Sequence, residues 1–182
     1  MDFQDILRLL HLGALTVWIG GGLGLVVLSA AATGTHDDQH ALRIIKGATI
    51  LGPVLTVPAA LAVLASGLLL VWAGSHPWEA WLTLSLLGTG VTFAVGALRV
   101  GPLLERAALV WERDGDEAQA LRLGCRALRI ARIDQVILFA LLAINVLQPG
   151  WEDRGLLLTL AVAAAVAALL ALRPAPGTAA AS

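Results

Sequence analysis

The chain reads as five long apolar stretches separated by polar connections. No Asp, Glu, Lys or Arg occurs over residues 9–36, 47–78, 80–98, 135–151 or 155–172. A helix rises 1.5 Å per residue, so about 20 residues cross the roughly 30 Å of bilayer hydrocarbon. Four of the runs meet or approach that length as they stand. The run from Gln135 does so when its helix begins near Ile130. The pattern therefore predicts helices over about 7–31, 49–73, 80–104, 130–148 and 155–172. This is an all-α integral membrane bundle of five transmembrane helices, one domain over residues 1–172, followed by a small, Pro- and Ala-rich tail over 173–182 that reads as disordered.

Composition agrees. Hydrophobic residues make up 58% of the chain, more than one soluble core of this size can bury. The surplus requires a lipid bilayer as partner. A net charge of −1 excludes nucleic acid, which calls for a basic excess. The single cysteine, Cys125, excludes an intramolecular disulfide and a cysteine-based metal cluster. The first span is expected to stay in place rather than to be cleaved after Ser29-Ala30-Ala31, because Asp2 and Asp5 make its start acidic and the apolar run is long for a signal peptide.

Charge in the connections sets an expected orientation. Arg43 and Lys46 follow the first span. Arg106, Arg113, Arg122, Arg126, Arg129 and Arg132 fall between the third and fourth, and Arg173 follows the fifth. The other side holds only Arg8 and Arg154. Basic connections stay in the cytoplasm, so the N-terminus is expected outside and the C-terminus inside. Trp72, Trp78, Trp81 and Trp151 cluster at the opposite ends of the spans, as interfacial aromatics do. Arg122, Arg126 and Arg129 share one face of a helix leading into the fourth span, a stripe suited to anionic headgroups.

Small residues suggest where helices meet. Gly20 and Gly24, and likewise Gly88, Thr92 and Gly96, stand four apart, the spacing that lets membrane helices approach closely. Packing is the plain reading; a flat ligand against the Gly20–Gly24 surface is the other. Pro53 and Pro58 are expected to kink the second helix.

Polar groups inside the spans are the candidate chemistry, because lipid makes them expensive. His11 lies about one turn inside the first helix. A neutral imidazole there is a metal or haem-iron ligand, or the donor of a hydrogen bond between helices. His76, in the connection on the same side, allows a bis-His site with His11 or is a plain loop residue. Asn145 and Gln148 stand near that end of the fourth helix. His36 and His40, four apart on the basic side, read as solvated residues or as a divalent-metal pair. Arg99 and Asp134 match in depth, which predicts a structural ion pair across helices three and four.

These residues carry a resemblance. Leu10-His11-Leu12-Gly13-Ala14 followed by Val17-Trp18-Ile19-Gly20-Gly21 is similar to the first helix of a bacterial membrane superfamily. That group includes the copper-resistance D type proteins, the four-helix membrane protoporphyrinogen oxidases and the DUF2269 family. Pro58 with Ser66-Gly67-Leu68 resembles the second helix of DUF2269. Ala97-Leu98-Arg99 with Pro102-Leu103 resembles the third helix of the copper-resistance type. Residues 132–136 with Leu147-Gln148-Pro149 resemble the fourth helix of the oxidases and of DUF2269. The likeness covers four helices, so the fifth is an addition to a four-helix core.

The resemblance implies that His11 corresponds to the histidine that ligates haem b in the oxidases. It also places the chain in a bacterial cytoplasmic (inner) membrane. Two departures weaken the likeness to an oxidase. Thr83 and Ser85 occupy the stretch where that family has a lysine, and Asp134-Gln135 replaces its Asn-Glu pair. The Met- and His-rich surface of copper handling is missing as well, since Met1 is the one methionine. The expected function is haem b binding through His11, with His76 as the candidate second ligand and a redox role. The alternatives are a copper homeostasis or permeation protein using His11 with Asn145 and Gln148, and a structural subunit without ligand. The redox partner, any catalytic residues and a homo-oligomer stay open.

Overall fold

Continuous apolar sequence makes continuous helix here, and the helices outrun the membrane. The computed structural model of the protein describes residues 2–35, 37–74 and 78–171. They form α1 (Phe3–Gly34), α2 (Asp38–Ala73), α3 (Ala80–Asp114), α4 (Glu117–Leu147) and α5 (Arg154–Ala171), each long and apolar enough to cross a bilayer. No strand occurs among the described residues. His36, His76 and the tail from residue 172 lie outside them.

Residues 38–48, expected as a connection, are the first turns of α2. At 36 residues α2 is about 54 Å long, well beyond the hydrocarbon thickness. Its start is capped by the Asp37 carboxylate, which accepts from the backbone N–H groups of Gln39 at 2.9 Å and His40 at 3.2 Å. The added turns bury Ala41, Leu42, Ile45 and Ala48, one helical face. Absence of charge marks contact with lipid, whereas a helix needs only one apolar stripe to continue. The same holds for α3 and α4, which run through Arg106, Arg113 and Arg122. Leu42, Val110 and Ala120 form a small core at this arginine-rich end, where Lys46 also pairs with Glu112 and Gln39 Nε2 donates to Glu117 at 3.1 Å.

α1 packs against both α2 and α4, and α3 packs along α4. Near the arginine-rich end α2 and α3 pack on each other; toward the tryptophan-rich end they touch less. α5 leans on α4 alone among the stronger contacts and buries none of its residues. Large apolar side chains such as Leu98, Val146 and Leu158 are exposed, the lipid-facing surface that such a chain presents.

Glycine notches set the close approaches, though not all where the spacing suggested. Gly20 is exposed, and a methyl group there would meet nothing within 4 Å. The packed glycines of α1 are Gly21 and Gly22, and Gly22 receives the Gln135 side chain of α4. Gly88 receives Leu141, Gly124 receives Ile45, and Gly67 lies against the His11 ring. Among the described residues π-helical turns occur at Gly52–Thr56 in α2, at Gly96–Val100 in α3 and at Val110–Asp114, the end of α3. The first contains Pro53 and is followed by Pro58, and the second is followed by Pro102, residues that lack the backbone N–H of a plain α-helical ladder.

Candidate functional site

The looser fit of α2 and α3 at the tryptophan-rich end leaves a cavity of ≈ 430 Å³ lined by α1 to α4, within the usual range for small-molecule sites of roughly 300–1,000 Å³. His11 projects from α1 into its wall, half-buried. The rim carries Gln4, Arg8 and Gln148, of which Arg8 and Gln148 are exposed. Gln4 Nε2 ties the rim together by donating to the Ala73 carbonyl at 2.9 Å. Trp72, Trp78 and Trp151 are exposed around this end, as interfacial aromatics should be.

The hydrogen bonds of His11 decide what its ring can do. Nδ1 stands 3.0 Å from Ser66 Oγ on α2. That hydroxyl has one proton, and the Ala62 carbonyl lies 2.5 Å away to take it. In the tautomer that carries its proton on Nδ1, Ser66 accepts from Nδ1–H and the lone pair stands on Nε2. The ring also lies on Gly67, where a Cβ would come within 3.3 Å of Cε1. An interhelical hydrogen bond and a ligand role are thus compatible, because they use different nitrogens. Metal-bound histidines are held in this way, with the other ring N–H given to an oriented acceptor.

The remaining candidates fall differently. Asn145 Nδ2 donates to Ser85 Oγ at 2.8 Å and to the Leu141 carbonyl at 2.9 Å, closing the α3–α4 wall of the same cavity. His76 lies outside the described residues, so its distance from His11 is not defined. His36 is likewise outside them, and His40 is exposed with its backbone capped by Asp37. Among the described residues no three His, Cys, Asp or Glu side chains gather as a metal cluster.

Arg99 and Asp134 do not form the expected ion pair. The ion pairs among the described residues are Arg8 with Asp5 and Lys46 with Glu112. Arg99 is exposed and sits within a π-helical turn, whose extra residue turns the side chains away from the register of a plain α-helix. Asp134 instead lines a second cavity of ≈ 540 Å³ toward the arginine-rich end. Trp18 and Leu138, both buried, border the two cavities and form the partition between them. Ser66 is the partner of His11 that sequence reasoning passed over. It stood in the Ser66-Gly67-Leu68 element, but its meeting with His11 depends on how α1 and α2 are rotated.

Residues 5–148 match the model of a family described as "Predicted integral membrane protein (DUF2269)", a span that includes α1 to α4 almost entire and leaves out α5. No curated protein and no solved structure matches the chain.

Proposed function

We propose, since this chain belongs to the DUF2269 family of predicted integral membrane proteins, that its tryptophan-rich cavity holds one haem b with His11 Nε2 on the iron, and that the protein has a redox role. The observation that carries this reading is the contact of His11 Nδ1 with Ser66 Oγ at the wall of a cavity of ≈ 430 Å³, which orients the ring and, in the Nδ1–H tautomer, keeps the lone pair on Nε2. When bound, haem b supplies one-electron chemistry.

The chain's own groups supply the rest. Ser66 holds the imidazole in its Nδ1–H form and raises the basicity of Nε2. Gly67 gives the imidazole ring room. Arg8 at the rim offers a cation to the carboxylates of an anionic macrocycle. Trp18 and Leu138 close the cavity floor and keep its dielectric low. From its place in the sequence, between the described ends of α2 and α3, His76 would be the second residue to hold the group.

Titration of haem into the purified apoprotein tests the arrangement. Ser66→Ala removes the acceptor for Nδ1–H and is expected to weaken haem binding by about 10- to 100-fold, the usual cost of losing such a partner. Unchanged affinity would separate Ser66 from the site.

The membrane reading extends to location. The resemblance to bacterial membrane families supports a bacterial cytoplasmic membrane, and the distribution of basic residues supports an orientation with the arginine-rich end in the cytoplasm. A reporter inserted at Gly115, between α3 and α4, is expected to be cytoplasmic, and one at Gly150, between α4 and α5, extracytoplasmic. The reverse result at both sites would invert the bundle.

A further inference from the structure

The second cavity takes no part in the haem reading, yet its wall holds unmet hydrogen-bonding capacity. Asp134 Oδ1 and Gln135 Oε1 are buried, and neither has a hydrogen-bond partner. Both residues line this cavity. Gln135 is only 4% exposed. Its Nε2 donates to the Ile19 carbonyl at 3.4 Å, which leaves Oε1 as an acceptor beside Gly22, where a Cβ would collide with it. Buried acceptors left unpaired are costly, so they mark places where water, an ion or a ligand brings the donor.

The rest of the wall narrows the chemistry of that donor. Thr56 Oγ1 donates to the Leu51 carbonyl at 2.9 Å, and Thr92 Oγ1 to the Gly88 carbonyl at 3.1 Å. Both hydroxyls commit their protons within their own helices and face the cavity as acceptors. Among the described residues the charged members of the wall are Asp134 and Glu105, and no Lys, Arg or His lines it. Most of the remaining surface is apolar, with Trp18 and Phe93 contributing aromatic faces. The exposed members of the wall, Pro53, Pro102 and Glu105, belong to α2 and α3 beside their π-helical turns. The mouth therefore opens between those two helices on the flank of the bundle, where a ligand enters from the bilayer.

We propose that this cavity binds an amphiphilic primary ammonium, a protonated amine on an apolar body. Its N–H groups bond Asp134 and Gln135, its charge is balanced by the Asp134 carboxylate, and its apolar part lies along the aromatic wall. A quaternary ammonium brings charge without a donor, an alcohol brings a donor without charge, and a carboxylate is repelled.

The protein in phosphatidylcholine nanodiscs, titrated calorimetrically against empty nanodiscs, tests this with n-octylammonium, tetraethylammonium, n-octanol and octanoate. n-Octylammonium is expected to bind saturably, one per chain, at least about tenfold tighter than the other three. Asp134→Asn is expected to weaken it by about tenfold or more, whereas His11→Ala leaves it unchanged, which separates this site from the haem cavity. Equal binding of octanol and octylammonium, no saturable binding beyond that of empty nanodiscs, or full affinity in a folded Asp134→Asn variant would each overturn the proposal. Should Asp134→Asn fail to fold, the wild-type ligand series decides alone.

Discussion

Replacing His11 by Ala is expected to lower haem affinity by more than about 100-fold and to remove the Soret band. Losing the oriented acceptor alone costs about 10- to 100-fold, and the iron ligand contributes more than its orienting partner. The substitution also leaves Ser66 Oγ without the N–H it accepts, which weakens the α1–α2 contact by about 1 kcal/mol. His11→Asn separates the two effects. Its amide can donate to Ser66 but offers no imidazole nitrogen, so the bundle should hold while haem is lost. His40→Ala, at an exposed position far from the cavity, should leave the spectrum intact. Haem content per chain and thermal unfolding, measured on the same preparations, distinguish a ligand from a structural histidine. A His11→Asn variant that keeps the wild-type spectrum would exclude His11 as the ligand.

A methyl group at Gly124 is expected to destabilise the bundle by about 1–3 kcal/mol, the usual cost of overpacking. The new Cβ would stand 2.5 Å from Ile45 Cδ1, 2.7 Å from Cγ2 and 3.0 Å from Cγ1, and a β-branched side chain in a helix has one strongly preferred χ1 rotamer. Ile45 is itself 1% exposed, so α2 and α4 must separate to admit it. Gly20→Ala is the contrast. Nothing lies within 4 Å there, and replacing a helical glycine gains up to about 1 kcal/mol. Thermal or denaturant unfolding in one detergent compares the two. In Gly124→Ala combined with Ile45→Ala the losses should sum to less than those of the single variants, because the second change empties the space the first needs. Additive losses would show that the two residues do not meet.

Such contrasts mark what could be read before the fold was known. The five spans were legible because lipid excludes charge, and excluded charge is visible residue by residue. Helix ends were not, since residues 38–48 are polar enough to leave the bilayer yet bury a full apolar face. Rotation was not legible. Arg99 and Asp134 were expected to meet at one depth, yet Arg99 is exposed and Asp134 lines the second cavity. Gly20, Gly21, Gly22 and Gly24 offer two overlapping faces, and only the partner Gln135 selects Gly22. His11 stood out as a lone imidazole in a charge-free run. Its partner Ser66 did not, because a serine that bonds its own helix is unremarkable until another side chain reaches it.

The absorbance spectrum of the wild-type protein, purified from membranes of cells supplied with haem, tests the haem site most directly. A Soret band at one haem b per chain is the predicted result, with loss of a six-coordinate spectrum in His76→Ala identifying the second ligand. A protein that purifies colourless and gains no band on haem titration would contradict it, and copper titration of wild type and His11→Ala would then decide between a copper ligand and a structural hydrogen bond.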